Sequence, residues 1–160
     1  MDPRIEEAKT QFLQAKEAFF KAFAAVPDER LNWSPSATSR TPIQQVAHAA
    51  ESIGHIHAML NGHPFPVPTT TEADKGFREN DARFTTREEV LDLIERNSGA
   101  YIAWLDNVAP ERLDDTATLP FGLGQAPVSA VLSAPADHTR WHLAQLDYMQ
   151  TIYGDQDWRF

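Results

Sequence analysis

The chain contains no cysteine, so it has no disulfide bond, thiolate metal ligand, iron–sulfur cluster or cysteine nucleophile. Basic residues are scarce as well: 14 Lys and Arg stand against 23 Asp and Glu, and the net charge of −9 repels nucleic acid and anionic lipid. No apolar run approaches the ~20 residues of a membrane-spanning helix, and the acidic start lacks the apolar core of a signal peptide. We therefore expect a cytoplasmic protein without nucleic-acid or membrane partners, in which nitrogen and oxygen atoms hold any metal ion.

The 160 residues are instead rich in helical signals and fit one domain, 1–160, around one core. Apolar residues every three or four positions predict a first helix over 5–26 and a third over 86–110. A threonine cap followed by Pro42 predicts that the second helix begins there and runs to about residue 61. The last helix should lie between 128 and 153.

Proline in the connections decides where helices are not expected. Pro135 either begins the main part of the last helix, with Ser133 or Ala134 as its cap, or kinks a longer helix. Residues 62–85 carry Pro64, Pro66 and Pro68 and are predicted to be an extended connection. Within the broken segment 110–127, the apolar residues 119–121 should plug one end of the fold without forming a strand. No alternating pattern favours a sheet, so we predict an all-α four-helix bundle with a long crossover between helices two and three.

Two histidines of the last helix are the clearest functional signal. His138 and His142 share the apolar stripe of that helix, and Arg140 points to the opposite side. The i, i+4 spacing puts their Cβ atoms ~6 Å apart, close enough for two ring nitrogens to meet at one cation. The alternative is a pair of core histidines bonded to backbone carbonyls. Because two imidazoles and Gln145 lie in register on one stripe, we favour a metal site.

A third metal ligand should come from the second helix. Its only charged residue is Glu51, which indicates that this helix is covered on more than one side. His48 and His55 share a face that is turned away from the main apolar direction of the helix, and the spacing leaves the choice of ligand open. His57 is expected in the core, and His63 is expected in solvent.

Three segments, in order and separation, resemble the DinB-like family of damage-inducible bacterial proteins: Leu31-Asn32-Trp33-Ser34-Pro35, Ile43-Gln44-Gln45-Val46-Ala47-His48 and His138-Thr139-Arg140-Trp141-His142-Leu143-Ala144-Gln145-Leu146. The resemblance spans nearly the whole chain. It implies an up-down-down-up four-helix bundle that binds a divalent ion, often zinc or nickel, through His48, His138 and His142. It also implies relatives that are thiol-dependent transferases and isomerases.

Three imidazoles leave an open coordination position, which water or a substrate thiol could fill. We therefore expect a divalent-metal-dependent enzyme, either a hydrolase or an S-transferase that uses a low-molecular-weight thiol. Gln145 and Glu51 are candidates for orienting a ligand or a proton. For Glu51, an ordinary surface carboxylate is the preferred interpretation.

The alternative is a non-catalytic bundle that binds a small apolar ligand or a protein partner. Nine phenylalanines and four tryptophans, Trp33, Trp104, Trp141 and Trp158, supply apolar surface for such binding. A homodimer is compatible with either function, and the Phe-rich first helix, with Phe19, is the predicted contact face.

Overall fold

The computed structural model describes residues 2–63, 65 and 67–157. Its helices and strands, in chain order, are α1 (Pro3–Ala24), α2 (Pro42–Leu60), α3 (Thr70–Asp81), α4 (Arg87–Asn107), β1 (Thr116–Thr118), β2 (Gln125–Pro127), α5 (Val128–Val131) and α6 (Ala134–Ile152). The long helices α1, α2, α4 and α6 form the up-down-down-up bundle, which confirms the predicted fold class. None of the helices in the described part of the chain combines the length and the apolar character needed to cross a membrane.

Side-chain caps fix where three of the four long helices begin. Asp2 accepts a hydrogen bond from a backbone N–H in the first turn of α1. Thr41 and Gln44 form a reciprocal capping box at the start of α2, and Thr86 and Glu89 form another at the start of α4. The starts of α2 and α4 are therefore where the sequence predicts them.

The phenylalanines of α1 lie inside the bundle. Phe12, Phe19 and Phe23 are at most 1% exposed, and the Phe12 ring packs edge-on against Tyr101 at 5.0 Å between centroids. The Tyr101 hydroxyl donates a 2.6 Å hydrogen bond to the buried carbonyl of Leu132, which ties α4 to the segment before α6. The prediction that Phe19 lies on a dimer face is wrong, because the helical stripe that carries it is covered by α4 and α6 of the same chain.

The crossover between α2 and α4 contains a helix that the sequence analysis missed. Residues 70–81 form α3 where an extended connection was predicted. Thr69 caps α3 by accepting a hydrogen bond from the Glu72 backbone N–H. Pro68 precedes this cap, so the prolines restrict only the first part of the crossover; Pro64 and Pro66 lie outside the described residues. Helix α3 packs against α2 and brings side chains to the outer face of that helix.

The segment between α4 and α6 contains a small hairpin, which corrects the prediction that the chain has no sheet. β1 and β2 pair antiparallel, with Ala117 opposite Ala126. Ala117 is 1% exposed, so this short ladder is held against the core. The apolar residues 119–121 lie in the connection of the hairpin and are not a strand, as predicted.

Pro135 lies in the first turn of α6 and does not kink a longer helix. Ser133 is the N-cap residue, one of the two caps that the sequence allows. The preceding turn, α5, is a separate helix of four residues. Because a proline in the first turn removes no helical hydrogen bond, α6 runs from this point through the histidine pair.

Candidate metal centre

Three imidazole rings meet between α2 and α6. The His138 and His142 centroids lie 4.6 Å apart, and the His48 centroid lies 4.9 Å from His142 and 5.5 Å from His138. One nitrogen from each ring lies within 4.8 Å of the other two. This three-histidine cluster is the only group among the described residues in which three or more His, Asp or Glu side chains could share a metal ion. It unites the three residues for which the resemblance implies a ligand role.

Of the histidines on α2, the structure places His48 beside the histidine pair of α6. Helix α2 packs against α3, α4 and α6, so its two opposite faces are both covered and His48 can point away from the main core yet remain only 8% exposed. His55 is exposed beside α3, and His57 contacts Tyr101 and is only half-buried, short of the core position that we expected. His63 is exposed, as predicted.

The environment of the cluster favours neutral rings. Burial, as the largest cause, lowers the pKa of His48 to about 2, that of His138 to about 4 and that of His142 to about 3. The nearby guanidinium of Arg40 lowers all three pKa values further. A metal ion requires this neutral state, because its bond uses the lone pair that a proton would occupy.

Two of the three rings each have a buried nitrogen that the protein does not satisfy. The buried Nδ1 atoms of His48 and His138 have no hydrogen-bond partner among the described residues. An unpaired buried polar atom costs ~1–3 kcal/mol, and a pair of them beside each other is rarely retained without a use. Nitrogen ligands of intermediate softness, partly dehydrated and neutral, match what zinc and nickel accept. The residues present therefore fit a divalent transition-metal ion.

Gln45 orients the third ring, and the sequence analysis did not identify it. Its Oε1 lies 2.8 Å from Nδ1 of His142, and both side chains are buried. When Nδ1–H of His142 donates to this oxygen, the lone pair of the ring is on Nε2. Gln45 precedes His48 by three residues and so shares its face of α2, which is the only sequence signal that could have indicated it.

A buried ion pair lies beside His48. Arg40 Nε donates a 2.7 Å hydrogen bond to Oδ2 of Asp81, whose side chain is 1% exposed, and Nδ1 of His48 lies 3.7 Å from the same oxygen. Burial raises the pKa of Asp81 to about 6, and the hydrogen bond from Arg40 opposes this shift. Asp81 is the last residue of α3, so the helix that was not predicted supplies a carboxyl group 3.7 Å from a ring of the cluster.

An apolar cavity of about 310 Å³ opens next to the cluster. His48 and His138 form part of its wall, together with Ser52, His55, Ile56, Met59, Phe65, Thr70, Ala73, Asp74, Phe77, Pro120 and Phe121. Helices α2 and α3, the hairpin connection and the start of α6 thus all contribute. The cavity gives a small molecule access to two of the three imidazoles.

The two residues predicted to orient a ligand or a proton lie in different surroundings. Gln145 is exposed, one turn after His142, and its side-chain interaction with that ring opposes the lowering of the His142 pKa. Glu51 is half-buried and accepts a hydrogen bond from Asn80 of α3, while its Oε2 is buried without a partner among the described residues. The interpretation of Glu51 as a surface carboxylate is therefore wrong: α3 covers it.

The fold and the histidine cluster define a class: four-helix bundles with a candidate metal centre between their helices. The family model of the DinB superfamily matches residues 11–146, and the chain belongs to this superfamily. No curated protein sequence matches the chain.

Solved structures show the same fold. YfiT from Bacillus subtilis, described as a probable metal-dependent hydrolase with an unusual four-helix bundle topology, is similar with a TM-score of 0.75 and 14% identity over 96% of this chain and 90% of its own. A mycothiol-dependent maleylpyruvate isomerase is similar with a TM-score of 0.69 and 13% identity, over 89% of this chain and 60% of its own. The chain therefore spans less than two thirds of the length of that isomerase.

Proposed function

We propose that this protein is a divalent-metal-dependent enzyme, of the hydrolase or thiol S-transferase type, in which His48, His138 and His142 hold the ion. The observation that carries the proposal is the meeting of three neutral, partly unsatisfied imidazoles, two of which line a cavity that a small molecule can enter. A structural site would be closed by a fourth side chain, and none of the described His, Asp or Glu residues completes this one. The descriptions of two similar structures, one metal-dependent and one thiol-dependent, agree with this type of chemistry.

The residues of the chain have separable tasks in this proposal. A zinc or nickel ion at the cluster would supply Lewis acidity, which lowers the pKa of a water molecule or thiol at the open position. Gln45 holds His142 in the tautomer that offers Nε2. The wall of α2, α3 and the hairpin makes the approach to the cluster mostly apolar, and Gln145 lies where it can contact a polar group near His142. Because the chain has no cysteine, a thiol nucleophile would be a small molecule.

Metal content tests the proposal. We expect the purified protein to bind about one equivalent of a divalent ion, and the double variant His138→Ala, His142→Ala to bind none while it keeps its helical circular dichroism. His57→Ala is the matched control, because His57 lies on the same helix as His48 but outside the cluster. Equal metal content in the double variant and in the wild type would exclude the site.

A second function, binding of a small apolar ligand without catalysis, is favoured by the composition of the cavity wall. Thermal melting separates the two. An ion that binds only the folded state stabilises it by about 2.7 kcal/mol at a hundred times its Kd. Removal of the ion with EDTA should therefore lower the melting temperature of the wild type and leave that of the double variant unchanged.

A further inference from the structure

The cavity beside the histidine cluster is lined by aromatic rings in mutual contact. The Phe77 ring packs edge-on against His48 at 4.9 Å, Phe65 lies 5.6 Å from Phe77, and Phe121 lies 5.6 Å from Phe65. His55 contacts both Phe65 and Phe77. A continuous aromatic wall thus leads from a proposed metal ligand to the hairpin connection.

The side chains of the cavity offer no free charge to a ligand. Asp74 is the only charged side chain among its described lining residues, and both of its oxygens are bonded: Oδ1 to Arg40 at 3.2 Å and Oδ2 to Arg78 at 2.6 Å. Neither arginine lines the cavity. A charged group held against the aromatic wall, away from the proposed ion, would lose hydration without meeting an unpaired side chain, which is unfavourable.

The backbone conformation of Phe121 is energetically unfavourable, which indicates that the surrounding residues hold its ring in the cavity wall. Phe121 has φ 58° and ψ 28°, and it is the only non-glycine residue with positive φ in the described part of the chain. A bulky side chain adopts this region only when its surroundings enforce it, and such residues concentrate at ligand sites. Gly122 and Gly124, which follow with positive φ, let the connection turn so that Phe121 faces Phe65.

We infer that the substrate of the proposed enzyme carries an uncharged, apolar group of one or two rings, which binds against Phe65, Phe77 and Phe121 while its reacting polar end reaches His48 and His138. The cavity volume of about 310 Å³ lies at the lower end of the range for small-molecule sites, and this limits the apolar group to one or two rings. The inference rests on the proposed function, because only a metal-bound cluster makes the occupant a substrate.

Indole is a suitable probe, because it is uncharged, has two fused rings and is a poor metal ligand. We expect ligand-observed NMR of the metal-loaded protein to show indole binding with a Kd in the millimolar range or below. Tryptamine, which adds a charged amine to the same rings, should bind at least tenfold more weakly. Equal or tighter binding of tryptamine would overturn the claim that the group is uncharged.

Two variants remove the aromatic wall from different elements. Phe121→Gly suits the positive φ, so the hairpin connection should fold, and Leu123→Gly is its control because Leu123 is 70% exposed in the same connection and outside the cavity. Phe77→Ala is paired with Phe20→Ala, a half-buried phenylalanine on α1. We expect at least tenfold weaker indole binding in the two cavity variants and less than a twofold change in the controls.

Metal content, measured on the same samples, separates the two proposals. Normal metal content with no indole binding to the wild type, or with unchanged binding in both cavity variants, would overturn the inference and leave the proposed function intact. Indole binding that responds to Phe121→Gly in a protein that binds no metal would instead refute the proposed function and, with it, the assignment of the occupant as a substrate.

Discussion

Replacement of Gln45 by leucine should weaken metal binding although Gln45 is not one of the proposed ligands. Gln45 Oε1 is the hydrogen-bond acceptor for Nδ1 of His142 at 2.8 Å, and the two residues are 8% and 6% exposed, so water has little access to replace it. In Gln45→Leu, the ring either leaves a buried N–H unpaired, which costs ~1–3 kcal/mol, or moves the proton to Nε2 and loses its lone pair. We expect a 10–100-fold loss of metal affinity, as for other residues that orient a ligand.

A competition titration of Zn²⁺ against a chromophoric chelator measures this loss. Gln45→Glu keeps an acceptor at the same position and should bind zinc within a few-fold of the wild type. Gln44→Leu is the matched control, because Gln44 accepts from the Thr41 backbone N–H at the start of α2 and does not contact the cluster. A Kd for Gln45→Leu within twofold of the wild type, or an equal loss in Gln44→Leu, would refute this role of Gln45.

Two further predictions concern stability. The pKa values of His48, His138 and His142, about 2, 4 and 3, lie below the value of 6.5 in the unfolded chain. Below pH 6.5 the unfolded chain therefore binds more protons at these histidines than the folded protein does. The raised pKa of Asp81 acts in the opposite direction, because the folded protein binds its proton more readily. Near pH 5 these four groups together make the unfolded chain bind about two protons more than the folded protein. The free energy of unfolding, measured in urea without metal, should therefore fall by roughly 2–3 kcal/mol for each unit by which the pH is lowered there. No fall, or the same fall in a His138→Phe, His142→Phe variant, contradicts this. Tyr101→Phe leaves the buried carbonyl of Leu132 without its donor, and we expect it to lower the free energy of unfolding by about 1–2 kcal/mol, with an unchanged melting temperature as the contrary result.

The sequence predicts what is encoded locally. The capping residues Thr41 and Thr86 and the stripe of α1 depend on neighbours within one or two turns, and the structure confirms them. The i, i+4 spacing of the two histidines of α6 is also a local feature, because it depends on one helical turn. The pattern does not predict α3, because three prolines in the first part of the crossover obscure the helix that follows them. Each strand of the hairpin has only three residues, too few for an alternating pattern.

The surroundings of the cluster depend on tertiary contacts that spacing does not encode. Gln45 and His142 are 97 positions apart, and Arg40 and Asp81 are 41 apart. The position of His48 in the cluster likewise depends on packing, because α3 and α6 cover the face of α2 that is turned away from its main apolar direction. From the sequence, only the resemblance to the DinB-like family indicates that His48 is the histidine of α2 that joins the pair of α6.

Anomalous diffraction from crystals of the metal-loaded protein, recorded at the zinc and nickel absorption edges, tests the central claim most directly. The account predicts one peak between α2 and α6, with nitrogen atoms of His48, His138 and His142 at about 2.0–2.2 Å. No peak at the cluster, with the three rings hydrogen-bonded to backbone carbonyls instead, would contradict it.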